Sequence, residues 1–456
     1  MEIQNLHPEI IFLICESICP HCQKLDDDWP KGSPTGEKAP RPAAKERRQT
    51  IFNLSFVCKN WGSIAQKVLH HHFGAFETHP KAEFLLCRTL SENPELGNHV
   101  KDARITHISS YDWSLNGEWL ANSLNKFSEV LDFPGTTVPD TSEWGEFIAP
   151  LILLQVPNLD RLLVQDKHFT EIVKKFRRPF LREQSVLPRR IKTIFVKPPP
   201  IISESSTDGS LDLSEASVGG FLSAIQSLGD LTLYRPNPQS LRDRLNLISL
   251  RSLALSDTFL SRGELQLLLS ATGPLEEFRY NGVYRPDLDA VTPQDICELL
   301  IPKKHTLAQL HLETPYTAQY FTAGKHLANV SYMRFLLTGI WLPTDAEPIL
   351  DERALLDIFP PKLSQIWLDV SEIAFPGSVD ALVTYILSTC RDHPEDQVLR
   401  RVYLRVLTAA ERGDPEFPME IHRSAWEAIK QRCEPFLRNG KIIMLLTSCK
   451  TGRVEH

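Results

Sequence analysis

Apolar residues recur with two different periods along this chain. Near the start, Leu6, Ile10, Ile11, Leu13, Ile14 and Ile18 fall mostly three or four apart, which predicts a short amphipathic helix with Pro8 in its first turn. Ile51, Leu54, Val57 and Trp61 predict a second helix beginning at Thr50, and Ile64, Val68, Leu69 and Phe73 a third. Residues 20–49 hold five prolines, two glycines and blocks of mixed charge, so they are expected to form a long solvated loop. Three short helices bury little core by themselves. Residues 1–75 are therefore expected to be a small all-helical module resting on something larger.

From residue 76 to 456 the period changes. The spacing apolar-x-x-apolar-x-apolar occurs at Leu159/Leu162/Val164, Ile191/Ile194/Val196, Leu228/Leu231/Leu233, Leu250/Leu253/Leu255, Leu275/Phe278/Tyr280, Leu307/Leu310/Leu312, Val330/Met333/Phe335, Leu363/Ile366/Leu368 and Leu399/Val402/Leu404. A weaker copy stands at Val100/Ala103/Ile105, and Ile442, Met444 and Leu446 suggest a last strand. Helical patterns lie between several copies, at 216–227, 264–271, 294–300, 352–359 and 379–391. Strand and helix alternate, and no unit can bury its apolar face alone. The expected fold is α/β: a leucine-rich-repeat-like solenoid, or horseshoe, over 76–456. Successive copies are 22 to 37 residues apart, overlapping and exceeding the range of such repeats, so the repeats are degenerate. The polar segment 197–217 reads as a flexible insertion.

Charge and composition narrow the partners. Fifty basic against 57 acidic residues leave a net charge of -7, which gives no electrostatic support for nucleic-acid binding and disfavours anionic membranes. No apolar run approaches the roughly 20 residues that span a bilayer, and the first residues carry Glu2 without a basic stretch. The expected location is the cytoplasm and/or nucleus. Nine cysteines, an odd number spread widely, read as free thiols.

Candidate chemistry is sparse. Cys19-Pro20-His21-Cys22 has the form of a redox dithiol, but that chemistry needs its first cysteine at a helix N-terminus, and Cys19 falls at a helix end. A zinc site would need two more ligands; Cys15 and His21 supply them only in a cramped arrangement. His70, His71 and His72 are adjacent and point in different directions. No phosphate loop, nucleophile elbow, zinc-protease helix or dinucleotide fingerprint occurs. The chain is expected to be non-catalytic, without cofactor or metal.

The opening LHPEIIFLICESI followed by TIFNLSFVCKNW resembles the F-box: Leu6, Glu9, Ile10, Val57, Cys58, Lys59 and Trp61 match its pattern. The proline, Pro8, falls one place late, and the loop between the helices is about twice the usual length. The continuation SIAQKVLHHHF is similar to fungal F-box proteins in which degenerate leucine-rich repeats follow. The resemblance implies a substrate receptor of an SCF-type ubiquitin ligase, acting in ubiquitin-dependent protein degradation. Leu6, Pro8, Ile10, Ile14, Leu54, Val57 and Trp61 would meet a Skp-type adaptor, or form the core directly beneath that surface, and the adaptor would in turn hold a cullin scaffold. Side chains alternate along a strand, so residues beside the inward pairs should line the opposite, concave face. That set is rich in aromatics and arginine, which dominate interface hot spots; Tyr332, Arg334, Trp367, Tyr403 and Arg405 are the expected centre of a surface for a protein substrate. Two other readings remain: a repeat scaffold without a ligase role and, more distantly, a thiol oxidoreductase using Cys19 and Cys22.

Overall fold

The computed structural model describes residues 6–23, 42–73, 80–105, 117–131, 145–176, 188, 190–197, 211–213, 218–237, 245–282, 291–314, 323–337, 359–371, 399–407, 431, 434, 443–448 and 454–455. It is a mixed α/β structure dominated by a large, open parallel sheet. The chain forms two compact units, Met1–Leu250 and Arg251–His456.

The first unit opens with helices α1 (Pro8–Ile18), α2 (Pro42–Leu54) and α3 (Lys59–Leu69). Ile11, Cys15, Cys19, Ile51, Trp61, Ile64, Ala65 and Val68 form their shared core. Two expectations fail here. Helix α2 begins at Pro42, so the expected loop at 20–49 is helical over its last eight residues; Ala, Lys, Glu, Arg and Gln favour helix, and Pro suits a first turn, but they show no apolar period. Residues 24–41 lie outside the described residues. The second and third helices are also divided differently. Residues 55–58 form the break between α2 and α3, which leaves Val57 in the turn and Trp61 inside α3. Phe73 belongs to a strand.

That strand, β1 (His72–Phe73), starts a run of parallel strands: β2 (Asp102–Ile105), β3 (Arg161–Gln165), β4 (Thr193–Lys197) and, after the short β5 (Leu211–Asp212), β6 (Asp230–Tyr234). β5 pairs in parallel with β7 (Pro236–Asn237), so the expected insertion at 197–217 contains a strand; residues 198–210 and 214–217 lie outside the described residues. Helices α4 (Pro80–Glu92), α5 (Pro94–Gly97), α6 (Gly117–Lys126), α7 (Gly145–Gln155), α8 (Asp166–Lys174) and α9 (Val218–Ala224) fill the connections.

Among its described residues the second unit contains seven parallel strands: β8 (Ser252–Thr258), β9 (Glu277–Gly282), β10 (Gln309–Glu313), β11 (Tyr332–Leu337), β12 (Gln365–Ser371), β13 (Arg401–Leu407) and β14 (Ile443–Ser448). The short β15 (Val454–Glu455) adds antiparallel to β14. Helices α10 (Arg262–Ser270) and α11 (Pro293–Leu300) each start with a reciprocal capping box, Ser261 with Glu264 and Thr292 with Asp295, which satisfies backbone donors that a helix start otherwise leaves open. The helices expected at 352–359 and 379–391 lie almost entirely outside the described residues.

Within each unit the sequence signature sets the register. Ala103 faces Leu162, Leu162 faces Ile194 and Ile194 faces Leu231; Leu253 faces Phe278, then Leu310, Met333, Ile366, Val402 and Met444 follow across the sheet. The first apolar residue of every copy is buried, from Val100 and Leu159 to Leu363 and Leu399. A carbonyl just before a strand repeatedly accepts two successive N–H groups from the next copy: His71 from Lys101 and Asp102, Glu276 from Ala308 and Gln309, Ser331 from Ser364 and Gln365, all at 2.8–3.0 Å. Side chains add a second tie: Asn158 donates to the Asn98 carbonyl, Ser249 to Gln226 and Asn329 to His305. Each donor immediately precedes the first apolar residue of its copy, and each acceptor lies two residues before that of the preceding one. These contacts repeat because the same local spacing returns in each copy.

Candidate functional site

Two surfaces and one side-chain cluster carry functional potential. The first surface belongs to the α1–α3 module. Of the eight large apolar side chains that stand exposed among the described residues, five are here: Ile10, Leu13, Phe52, Phe56 and Val57, with Phe56 71% exposed. Ile10 and Leu13 share a face of α1, and the rings of Phe52 and Phe56 meet edge to face at 4.9 Å. The residues expected to meet an adaptor divide by position. Pro8, Ile10 and Val57 are exposed. Leu6, Ile14 and Leu54 are half-buried against the helical core. Trp61, 3% exposed, is a core residue rather than part of a surface, because α3 turns its indole toward Ile64, Ala65 and the first two helices. Leu13, Phe52 and Phe56 were not among the expected residues; periodicity marks an apolar stripe without saying which of its members lack a partner.

The second surface is the face of β9–β13 opposite the buried apolar rows. Arg279, His311, Arg334, Trp367 and Tyr403 occupy one register row. The Arg334 guanidinium lies over the Trp367 ring at 5.4 Å, and Trp367 stacks on Tyr403 with ring centres 5.0 Å apart and planes at 16°. Tyr332, one row back, packs on His311 at 5.0 Å. Four of the five expected substrate residues therefore lie on one face. Arg405 stands in register with Asp369, and its side chain lies outside the described residues. Ion pairs orient the row: Arg279 holds Glu277 at 2.5 Å, and Arg334 reaches Glu313 at 3.2 Å. Burial would raise the Glu277 carboxyl, but the neighbouring His311 imidazole and the Arg279 guanidinium outweigh it and bring the group down to about 2. Burial keeps His311 below the ordinary imidazole value.

The cluster lies where α1 ends. Cys19, His21, Cys22 and His71 bring one ligand atom each to within 4.8 Å of one another. Cys22 Sγ is 3.3 Å from His71 Nδ1 and 3.8 Å from His21 Nδ1. The three adjacent histidines do point apart: His70 Nδ1 meets the Gln66 carbonyl, His71 turns to Cys22, and His72 Nδ1 sits 2.8 Å from the buried Asp102 carboxylate. Arg161 also reaches Asp102, at 2.7 Å. Desolvation of Asp102 is thereby outweighed by His72 and the arginines Arg161 and Arg104, and its carboxyl stays below the ordinary value. A hydrogen bond from Cys22 outweighs burial and, with one from His71, lowers the Cys19 thiol to about 4. Cys22 retains the shared proton and is raised. Cys19 itself is the C-cap of α1. There the helix dipole opposes a thiolate, so the pair lacks the helix-N-terminal setting of a catalytic dithiol.

No family model matches the sequence, and no curated protein matches it either. Among the described residues no helix is long and apolar enough to cross a membrane.

Proposed function

We propose that this chain is a non-catalytic substrate receptor of an SCF-type ubiquitin ligase. In this reading the α1–α3 module is an F-box docked on a Skp-type adaptor and, through it, a cullin scaffold, while a leucine-rich-repeat horseshoe holds a protein substrate. The observation that carries the reading is the exposure of Ile10, Leu13, Phe52, Phe56 and Val57 on a module whose own core is already filled. Apolar side chains concentrated in this way mark partner sites. Two of them, Ile10 and Val57, also belong to the residues that match the F-box pattern. The repeat reading is supported by consecutive parallel strands in sequence order, with the first two positions of the signature buried in every copy from Val100/Ala103 to Leu399/Val402 and the third buried wherever its side chain is described. The Arg334–Trp367–Tyr403 stack supplies the residue types that anchor protein partners. Such a receptor does no chemistry; it raises the rate of ubiquitin transfer by holding the substrate close to the carrier enzyme.

Co-expression with a Skp-type adaptor tests the reading. The wild-type chain should capture the adaptor, and Ile10→Asp and Val57→Asp should lose it while retaining the wild-type circular dichroism spectrum. A folded wild-type chain that ignores the adaptor overturns the proposal in favour of a repeat scaffold without a ligase role.

A further inference from the structure

We infer that Cys19, His21, Cys22 and His71 form a structural zinc site that ties the end of the first helix to the start of the parallel sheet. The inference is independent of any partner of the exposed apolar face, and it departs from the expectation of a chain without metal. Zinc binds thiolate sulfur at about 2.3 Å and imidazole nitrogen at about 2.0–2.1 Å in a tetrahedron. In that tetrahedron a sulfur and a nitrogen ligand stand about 3.6 Å apart. Two sulfur–nitrogen separations in the cluster, Cys22 to His71 at 3.3 Å and Cys22 to His21 at 3.8 Å, lie on either side of that value. The His21 and His71 rings are 6.0 Å apart at 78°, so their Nδ1 edges converge without the rings stacking.

The donor set selects the metal. Two cysteines and two histidines are the ligands of closed, four-coordinate zinc sites, whereas calcium and magnesium take oxygen. Metal binding displaces the protons of both thiols to water, and two thiolates then neutralise the dication. A neutral centre suits these surroundings: Cys19 and His71 are buried, and Ile18 and Leu69 pack nearby. All four protein ligands would be occupied, which leaves no open position for a reacting water and makes the site structural.

The ligands are also held from behind. The Cys19 N–H donates to the carbonyls of Cys15 and Glu16, and the Cys19 carbonyl accepts from Gln23. The His71 carbonyl accepts from Lys101 and Asp102, the first residues of the β2 repeat. The Phe12 ring packs edge-on to the His71 imidazole at 6.2 Å. Zinc would therefore join a turn after α1 to the residue preceding β1 across 49 positions, closing a long loop that includes residues 24–41. A cross-link over so many residues removes much of the unfolded chain's freedom.

The test uses the full chain, purified without chelator, with zinc measured by plasma mass spectrometry and cobalt(II) as the spectroscopic probe. The expected result is about one zinc per chain, and for the metal-depleted chain with cobalt the visible absorption of a tetrahedral sulfur–nitrogen site. His71→Ala and Cys22→Ser should weaken metal binding by more than the roughly 10- to 100-fold that loss of an outer partner costs. His70→Ala, whose ring turns to the Gln66 carbonyl, should retain it. Should a ligand variant fail to fold, the cobalt spectrum of the wild-type chain decides alone. Absence of that spectrum, a Cys19–Cys22 disulfide in place of bound metal, or full zinc content in folded His71→Ala overturns the site.

Discussion

Glu277 gives the sharpest energetic prediction for the sheet face. Its side chain is 20% exposed, accepts a hydrogen bond from Arg279 Nε at 2.6 Å and meets His311 Nε2 at 3.5 Å. Its carboxyl falls from the ordinary 4.5 to about 2 in the folded chain. A depressed carboxyl stabilises the fold fully above its unfolded value, and that contribution is lost as pH falls toward the folded value. Each unit corresponds to 1.36 kcal/mol, so ionised Glu277 contributes about 3 kcal/mol near neutrality. Glu277→Gln keeps the shape and removes the charge. Urea unfolding of both proteins, followed by circular dichroism, should show Glu277→Gln less stable by about 3 kcal/mol near pH 7, with the gap closing as pH falls from about 4.5 to about 2. A gap below about 0.5 kcal/mol near neutrality, the scatter of ordinary surface changes, or a gap that does not change with pH, would show that the Glu277 charge does not stabilise the fold.

Other substitutions follow from packing. Trp61→Ala removes a core indole and should cost about 3–5 kcal/mol by denaturant titration, whereas Phe56→Asp, at a 71% exposed position, should leave stability within about 0.5 kcal/mol while abolishing adaptor capture. Equal destabilisation by the two would mean that Phe56 belongs to the core. Two glycines should respond with opposite signs: a Cβ at Gly97 would stand 1.9 Å from the Gln155 carbonyl oxygen, while one at Gly263 in the first turn of α10 would meet nothing within 4 Å. Gly97→Ala should therefore destabilise by about 1–3 kcal/mol and Gly263→Ala stabilise by about 0.5–1 kcal/mol, both read from thermal unfolding.

The strands were legible in the sequence because every copy from Val100/Ala103 to Leu399/Val402 buries the same first two positions against its neighbours. A spacing that returns on one chain becomes a register when parallel strands pair, as in the row from Leu253 to Met444. β1 escaped notice because two residues, His72 and Phe73, are too short to show alternation. The first turns of α2 escaped because Lys45, Glu46, Arg47 and Arg48 carry helix propensity without an apolar stripe. On the candidate site, periodicity found Ile10 and Val57 but grouped them with Trp61, since a pattern of apolar positions does not distinguish a filled core from an exposed face. The aromatic row was legible for a different reason: alternation along a strand assigns Arg334, Trp367 and Tyr403 to one face once their neighbours Met333, Ile366 and Val402 are assigned to the other. The cysteine–histidine cluster depended on the tertiary fold. His71 comes to Cys22 only because α3 packs on α1, and neighbouring residues such as Cys15 were the nearer candidates in sequence alone.

The proposed receptor role requires the exposed apolar face of the α1–α3 module to bind a Skp-type adaptor. Isothermal titration of the purified full chain with the purified adaptor tests it most directly. Saturable one-to-one binding with a micromolar or tighter dissociation constant, lost in Phe56→Asp and retained in Arg334→Ala, is the expected result. No binding by the folded wild-type chain, or undiminished binding by Phe56→Asp, would contradict it.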